Sequence, residues 1–185
     1  AMYRMFRGIE AVRKGNEGEA LEHFAVAVGL EPDNVLLLRT VGAVVLRRRG
    51  YGIAIICYNK LCELLPDVKA YAINQCLCLA ATGDTKTAVN KAYELNLNNE
   101  SDNQVKRLLA WVLICNGNAE KALNIYDELM ATDKQPDDAL NIAYAQWING
   151  NPGEAKNSFT EWLINHPGAN LEHEFENDSY VFKPN

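Results

Sequence analysis

The sequence predicts an all-α solenoid of five stacked helical hairpins. Three observations carry this: a period of about 34 residues, apolar residues at helical spacing within each period, and a glycine-marked turn at each midpoint. Alanines in matching contexts recur at near-constant separation, at Ala20, Ala54, Ala88, Ala122 and Ala155. A glycine precedes each by four or five residues (Gly15, Gly50, Gly83, Gly117, Gly150). Four residues beyond the alanines come Phe24, Tyr58, Ala92, Tyr126 and Phe159, and twelve before them Gly8, Gly42, Cys76, Ala110 and Ala143, all small.

The repeats run over 1–34, 35–68, 69–102, 103–135 and 136–169, followed by a non-repeat tail, 170–185. In the first, helices over 2–14 and 17–30 flank Gly15-Asn16; Leu21, Phe24, Ala27 and Val28 make one apolar face, and Pro32 stops the second helix. The second pairs 36–48 with 51–64 around Gly50-Tyr51. Its Arg47-Arg48-Arg49 run ends a helix, where cations complement the carbonyl end of the macrodipole, and Pro66 is its stop. The third pairs 69–82 with 85–97. It has Ala92 where the others have a ring and Glu100 where a proline is due, so looser packing and an irregular 98–104 connection are expected. The fourth pairs 103–115 with 119–131, whose face is Leu123, Tyr126, Leu129 and Met130, and carries Lys134 in place of proline. The fifth pairs 138–149 with 152–164 and stops before Pro167. Small residues let paired helices approach: Gly8 facing Ala20 brings two backbones together, and the ring one turn later fills the gap to the next repeat. One hairpin buries too little to fold alone; stacking encloses large side chains at ~1.5–3 kcal/mol each.

With Gly8, Ala20, Phe24, Ala27 and Pro32 in register over about residues 1–169, the pattern resembles the tetratricopeptide repeat family. The large aromatic that the family often carries early in its first helix is absent at Arg4. The resemblance implies a right-handed α-α superhelix whose first helices line a concave groove that binds an extended or helical peptide. Carried over by spacing, the peptide-binding groove is Met5, Phe6, Ile9, Arg39, Asn74, Leu77, Arg107, Trp111, Asn141, Tyr144 and Trp147. Aromatic area for anchoring, Arg for carboxylates and Asn for peptide backbone fit an apolar peptide of some acidic character. The alternative is that Trp111, Tyr144 and Trp147 only pack between helices, and that Arg39 and Arg107 are solvated or partnered within their own helix. Some members of the family clamp a chaperone's C-terminal carboxylate with a Lys/Asn set over three repeats. Here only Arg39 and Asn74 come near it, while Ala43, Gln104 and Leu108 stand in the remaining positions, which argues against that function.

Other chemistries find little support. Net charge is −6, and residues 71–185 hold eight Lys/Arg against sixteen Asp/Glu, which disfavours nucleic acid as a partner. The apolar stretch Val35–Leu46 is broken by Arg39 and falls short of the roughly 18 residues of a membrane span, so no membrane insertion is expected. The three His (His23, His166, His173) and three Ser (Ser101, Ser158, Ser179) form no nucleophile-elbow or HExxH motif, and no GxxxxGK phosphate loop occurs; neither catalysis nor a cofactor is expected. Cys76 and Cys78 point about 200° apart on a helix, and Cys57 and Cys62 about 140°, so neither pair chelates a metal from one helix. Five cysteines, an odd number, sit in apolar runs, as reduced packed thiols do, and a cytoplasmic location follows from them. Sequons at Asn99 and Asn177 matter only in a secreted chain.

The tail, NLEHEFENDSYVFKPN, leaves the repeat pattern, and no amphipathic capping helix is evident in it. The flank of the last helix around Phe159, Trp162 and Leu163 is then either covered by the tail folding back or docked on a further domain or a second copy. The functional expectation is a non-catalytic protein-protein interaction module for a protein or peptide partner. The competing expectation is a structural module: a homodimer through uncapped ends, or a docking segment excised from a larger protein and accessory to an enzyme domain elsewhere.

Overall fold

A computed structural model describes residues 1–182. Among these residues there are eleven α-helices and no strand. In order they are α1 Met2–Arg13, α2 Glu17–Leu30, α3 Val35–Arg47, α4 Tyr51–Leu64, α5 Lys69–Ala81, α6 Thr85–Leu97, α7 Asn103–Cys115, α8 Ala119–Thr132, α9 Asp138–Ile148, α10 Pro152–Asn165 and α11 Leu171–Asn177. A 3-10 turn, Ser179–Phe182, follows. Every boundary expected for the ten repeat helices lies within one residue of the observed one.

Local chemistry explains the boundaries. Side-chain oxygens of Asn16, Asn34, Asp84 and Asp102 accept from backbone N–H groups at the starts of α2, α3, α6 and α7, satisfying donors that have no partner inside the helix. Pro152 opens α10, where a missing N–H costs nothing. At the turns, Gly15, Gly83, Gly117 and Gly150 adopt left-handed φ of 76°, 94°, 77° and 81°. The amides of Asn16, Asn118 and Asn151 then reach back five residues to close the preceding helix. In the second repeat the left-handed residue is Arg49, φ 58°, while Gly50 has φ −77°. The glycine expected to make that turn is therefore one residue late. A Cβ on Gly50 would lie 3.3 Å from Leu21 and Val45, so close packing is what its position requires.

The chain divides into two compact units, Ala1–Thr82 and Gly83 onward. The division falls in the turn between α5 and α6, inside the repeat whose second helix carries Ala92 in place of a ring. In the first unit α1 packs on α2, α3 on α4 and α4 on α5, with α1 beside α3 and α2 beside α4. First helices thus form one layer and second helices the other, around Phe24, Leu37, Leu38, Val41, Val45, Tyr58 and Leu61. The space at Gly8 belongs to the ring of Phe24: a Cβ there would stand 2.5 Å from Phe24 Cε1. Likewise a Cβ on Gly42 would stand 3.3 Å from Tyr58 Cζ. The small residue therefore receives the ring of its own hairpin, and the Tyr58 ring also meets the next repeat, at 6.5 Å between centroids from Tyr71, as the sequence led one to expect.

In the second unit α6 packs on α7, α7 on α8, α8 on α9 and α9 on α10, with α7 beside α9. Its core includes Val105, Val112, Leu113, Ile114, Tyr126, Leu129, Tyr144 and Trp162. The tail is not without a helix, as the sequence led one to expect. Asn170 caps α11 by accepting from the Glu172 amide, and the chain folds back so that Phe175 meets Phe159 at 5.3 Å between ring centroids. Of the two fates left open for the last flank, this is the first.

One tie recurs in both units. The Arg48 guanidinium donates to Glu17 at 3.2 Å, and the Thr85 hydroxyl to the Asn116 side-chain oxygen at 2.7 Å. Each joins the start of a second helix to the end of the next first helix.

Candidate functional site

In the first unit the layer of first helices carries six of the residues assigned to the groove. Met5 is buried in the core, Phe6 is 59% exposed, and Ile9 is half-buried. Arg39 is exposed on α3, the neighbour of α1, while Asn74 and Leu77 are half-buried on α5. Burial pushes the Tyr58 hydroxyl up to about 12, with the nearby Cys78 thiol adding to the rise and a hydrogen bond with the Asn74 amide opposing it.

The second unit carries five. Arg107, on α7, reaches the loop before α9 and its first turn. Its Nε and Nη2 donate to Asp138 at 2.8 and 2.9 Å, Nη1 donates to Asp133 at 2.8 Å, and Nη2 also meets the Asp133 carbonyl. Asp138 is fully buried and accepts further from the Gln135 amide. Hydrogen bonding to Asp138 raises the Arg107 pKa despite its partial burial, and the guanidinium holds the Asp133 carboxyl below the usual carboxylate range. Asn141 lies against the hydroxyl of Tyr126, whose pKa burial raises and Asn141 lowers. Asn74 and Asn141 each stand beside the tyrosine of the preceding second helix, Tyr58 and Tyr126, but the buried Tyr126 hydroxyl has no hydrogen-bond partner among the described residues.

The aromatic residues fall on a gradient of exposure. Tyr144 is buried, Trp111 half-buried, with their ring centroids 6.2 Å apart, and Trp147 is 57% exposed. Trp147 stands at the edge of an open apolar pocket of about 600 Å³, whose lining includes Phe159, Leu163, Leu171, Phe175 and Phe182, with Lys156 as its cation. Residues absent from the expected groove also converge here. Tyr180 sets its ring edge to Trp111 at 6.4 Å, Phe182 sits at 5.2 Å from Tyr144, and the Tyr144 hydroxyl donates to Asp178 at 3.2 Å. The tail therefore lies across α9 to α7. Its sequence signal is the cluster Phe175, Asp178, Tyr180, Val181, Phe182, which fits no helical or strand period.

Among the described residues no group of three or more His, Cys, Asp or Glu side chains gathers to hold a metal ion, and no helix is long and apolar enough to cross a membrane.

No protein-family model matches the sequence, nor does any curated protein. Solved structures do resemble it. TTC0263, a thermophilic TPR protein of Thermus thermophilus, aligns with a TM-score of 0.64 at 16% identity over 98% of this chain and 99% of its own. MamA of Desulfovibrio magneticus RS-1 aligns with 0.61 at 15% identity over 91% and 97%. YrrB, described as a TPR protein with an unusual peptide-binding site, aligns with 0.56 at 15% identity over 89% and 86%. The repeat period, the two layers of alternating helices and these likenesses agree: the chain has the tetratricopeptide-repeat fold.

Proposed function

We propose that the chain is a non-catalytic protein-protein interaction module that binds a peptide or partner protein on its layers of first helices. The observation that carries this is the exposure of Phe6 and Trp147 on helices whose opposite sides are sealed into the cores. An aromatic side chain of this size left in water is surface available for burial against a partner. The proposed contact set in the first unit joins Ile9, Arg39, Asn74 and Leu77 to Phe6, and in the second Trp111, Asn141 and Tyr144 to Trp147, all on first helices. Met5 supports the first set from beneath, and Arg107, engaged by Asp133 and Asp138, shapes the second. The peptide-binding site named for YrrB supports the same use of the fold. Buried thiols at Cys57, Cys78 and Cys115 support a reducing compartment such as the cytoplasm.

Peptides selected from a displayed library against the whole chain test the reading. Trp147→Ala or Phe6→Ala is expected to weaken the selected peptides by ~2 kcal/mol in calorimetry. Unchanged affinity in both variants, with helicity intact, overturns it. The exposure of Leu163 and Ile164 beside the pocket favours a second reading, self-association through the C-terminal end, which sedimentation of wild type against Ile164→Glu decides.

A further inference from the structure

The residues that turn back over α7 and α9 are built like a ligand. Between Leu171 and Phe182 the backbone forms one helix of seven residues and a single 3-10 turn, too short to hold themselves without tertiary contacts. What holds them is side-chain docking: Tyr180 on Trp111, Phe182 and Phe175 on Tyr144, Val181 buried, and Asp178 taking the Tyr144 hydroxyl. Phe175 and Phe182 remain 37% and 36% exposed, so the docking is incomplete. Glu172, Glu174, Glu176 and Asp178 make the segment acidic, and it carries no Lys or Arg.

Resting on the interaction reading above, we propose that residues 171–182 are an internal occupant of the α7/α9 face. The partner that face takes is then a short acidic segment with the same order of groups: an aromatic, an acid three residues on, then aromatics two and four beyond it. The tether from α10 gives the tail a local concentration on the order of mM, so it shields the face from weak ligands and yields to one that fits better. The phenol of Tyr144 supplies the donor for the acid and its ring the platform for the aromatics.

The probe is a fluorescein-labelled peptide of residues 170–182, titrated by anisotropy against the full chain and against full-chain Tyr180→Ala/Phe182→Ala. The double variant is expected to bind it at least tenfold more tightly than wild type, with a change in Trp111 emission, and added Tyr144→Phe to reverse much of the gain. Equal affinity for both chains, or binding to neither, overturns the proposal. Hydrogen exchange on the wild type covers a variant that fails to fold. Amides of 171–182 exchanging together and ahead of α9 support a displaceable occupant; exchange only in step with α9 makes the tail a fixed part of the core and overturns it. If library-selected peptides still depend on Phe6 or Trp147 while the tail peptide fails, this proposal alone falls. If every peptide fails on both chains, the interaction reading falls with it.

Discussion

Arg49 holds a backbone conformation that the corresponding turns before α2, α6, α8 and α10 leave to glycine. A side chain at φ 58° crowds its own carbonyl, a cost of roughly 1–2 kcal/mol that glycine avoids, less the entropy glycine gains in the unfolded chain. Arg49→Gly is therefore expected to raise stability by about 0.5–1 kcal/mol, read as a higher urea midpoint at unchanged slope; a lower midpoint refutes the strain argument. The thiols give a second residue-scale expectation. Burial pushes Cys57 and Cys78 up to about 12 from an ordinary 9, and Tyr58 up to about 12 from 10. The folded chain then keeps protons that the unfolded chain releases. Their stabilising contribution is whole below pH 9 and drains away as pH climbs toward 12. Urea midpoints should fall steadily between about pH 9 and 11, a range of roughly two units within that window. A flat or rising series contradicts the assignment.

Helices are joined here by a few specific polar ties as well as by apolar faces. The Arg107 fork fastens α7 to the first turn of α9, and its removal would leave Asp138 buried without its main cation. Arg107→Ala is expected to destabilise the second unit by about 3 kcal/mol, seen as a lower melting temperature with loss of protection in α9. A change under about 0.5 kcal/mol would class the pair with surface ion pairs. At this scale the sequence was legible where a signal repeats. Helix positions followed from the repeat period because turn, small residue and ring recur together. Arg107 was not legible as an internal partner, since an exposed-looking Arg on a helix face says nothing of an aspartate at the start of the next repeat's first helix. The return of α11 escaped for a similar reason: seven residues are too few to show a period, and their docking is written in scattered aromatics.

Across each unit taken whole, alternation of first and second helices into two layers is what the repeat arithmetic demands, and it sets which surfaces remain for a partner. The candidate faces were legible in outline, because positions on first helices can be counted. They were not legible in occupancy: Met5 and Tyr144 share the helical spacing of Phe6 and Trp147 yet lie inside, and only packing distinguishes them.

The seating of Phe24 over Gly8, and of Tyr58 over Gly42, has a bearing on how such a gene can be recombined. Crossovers placed at Pro32 or Pro66 move a ring together with the glycine that receives it, so a hairpin travels as an intact cassette. Crossovers placed at the glycine turns part the two, and a chimera that sets an alanine or larger residue against the ring of Phe24 as it is seated here inherits a clash with it.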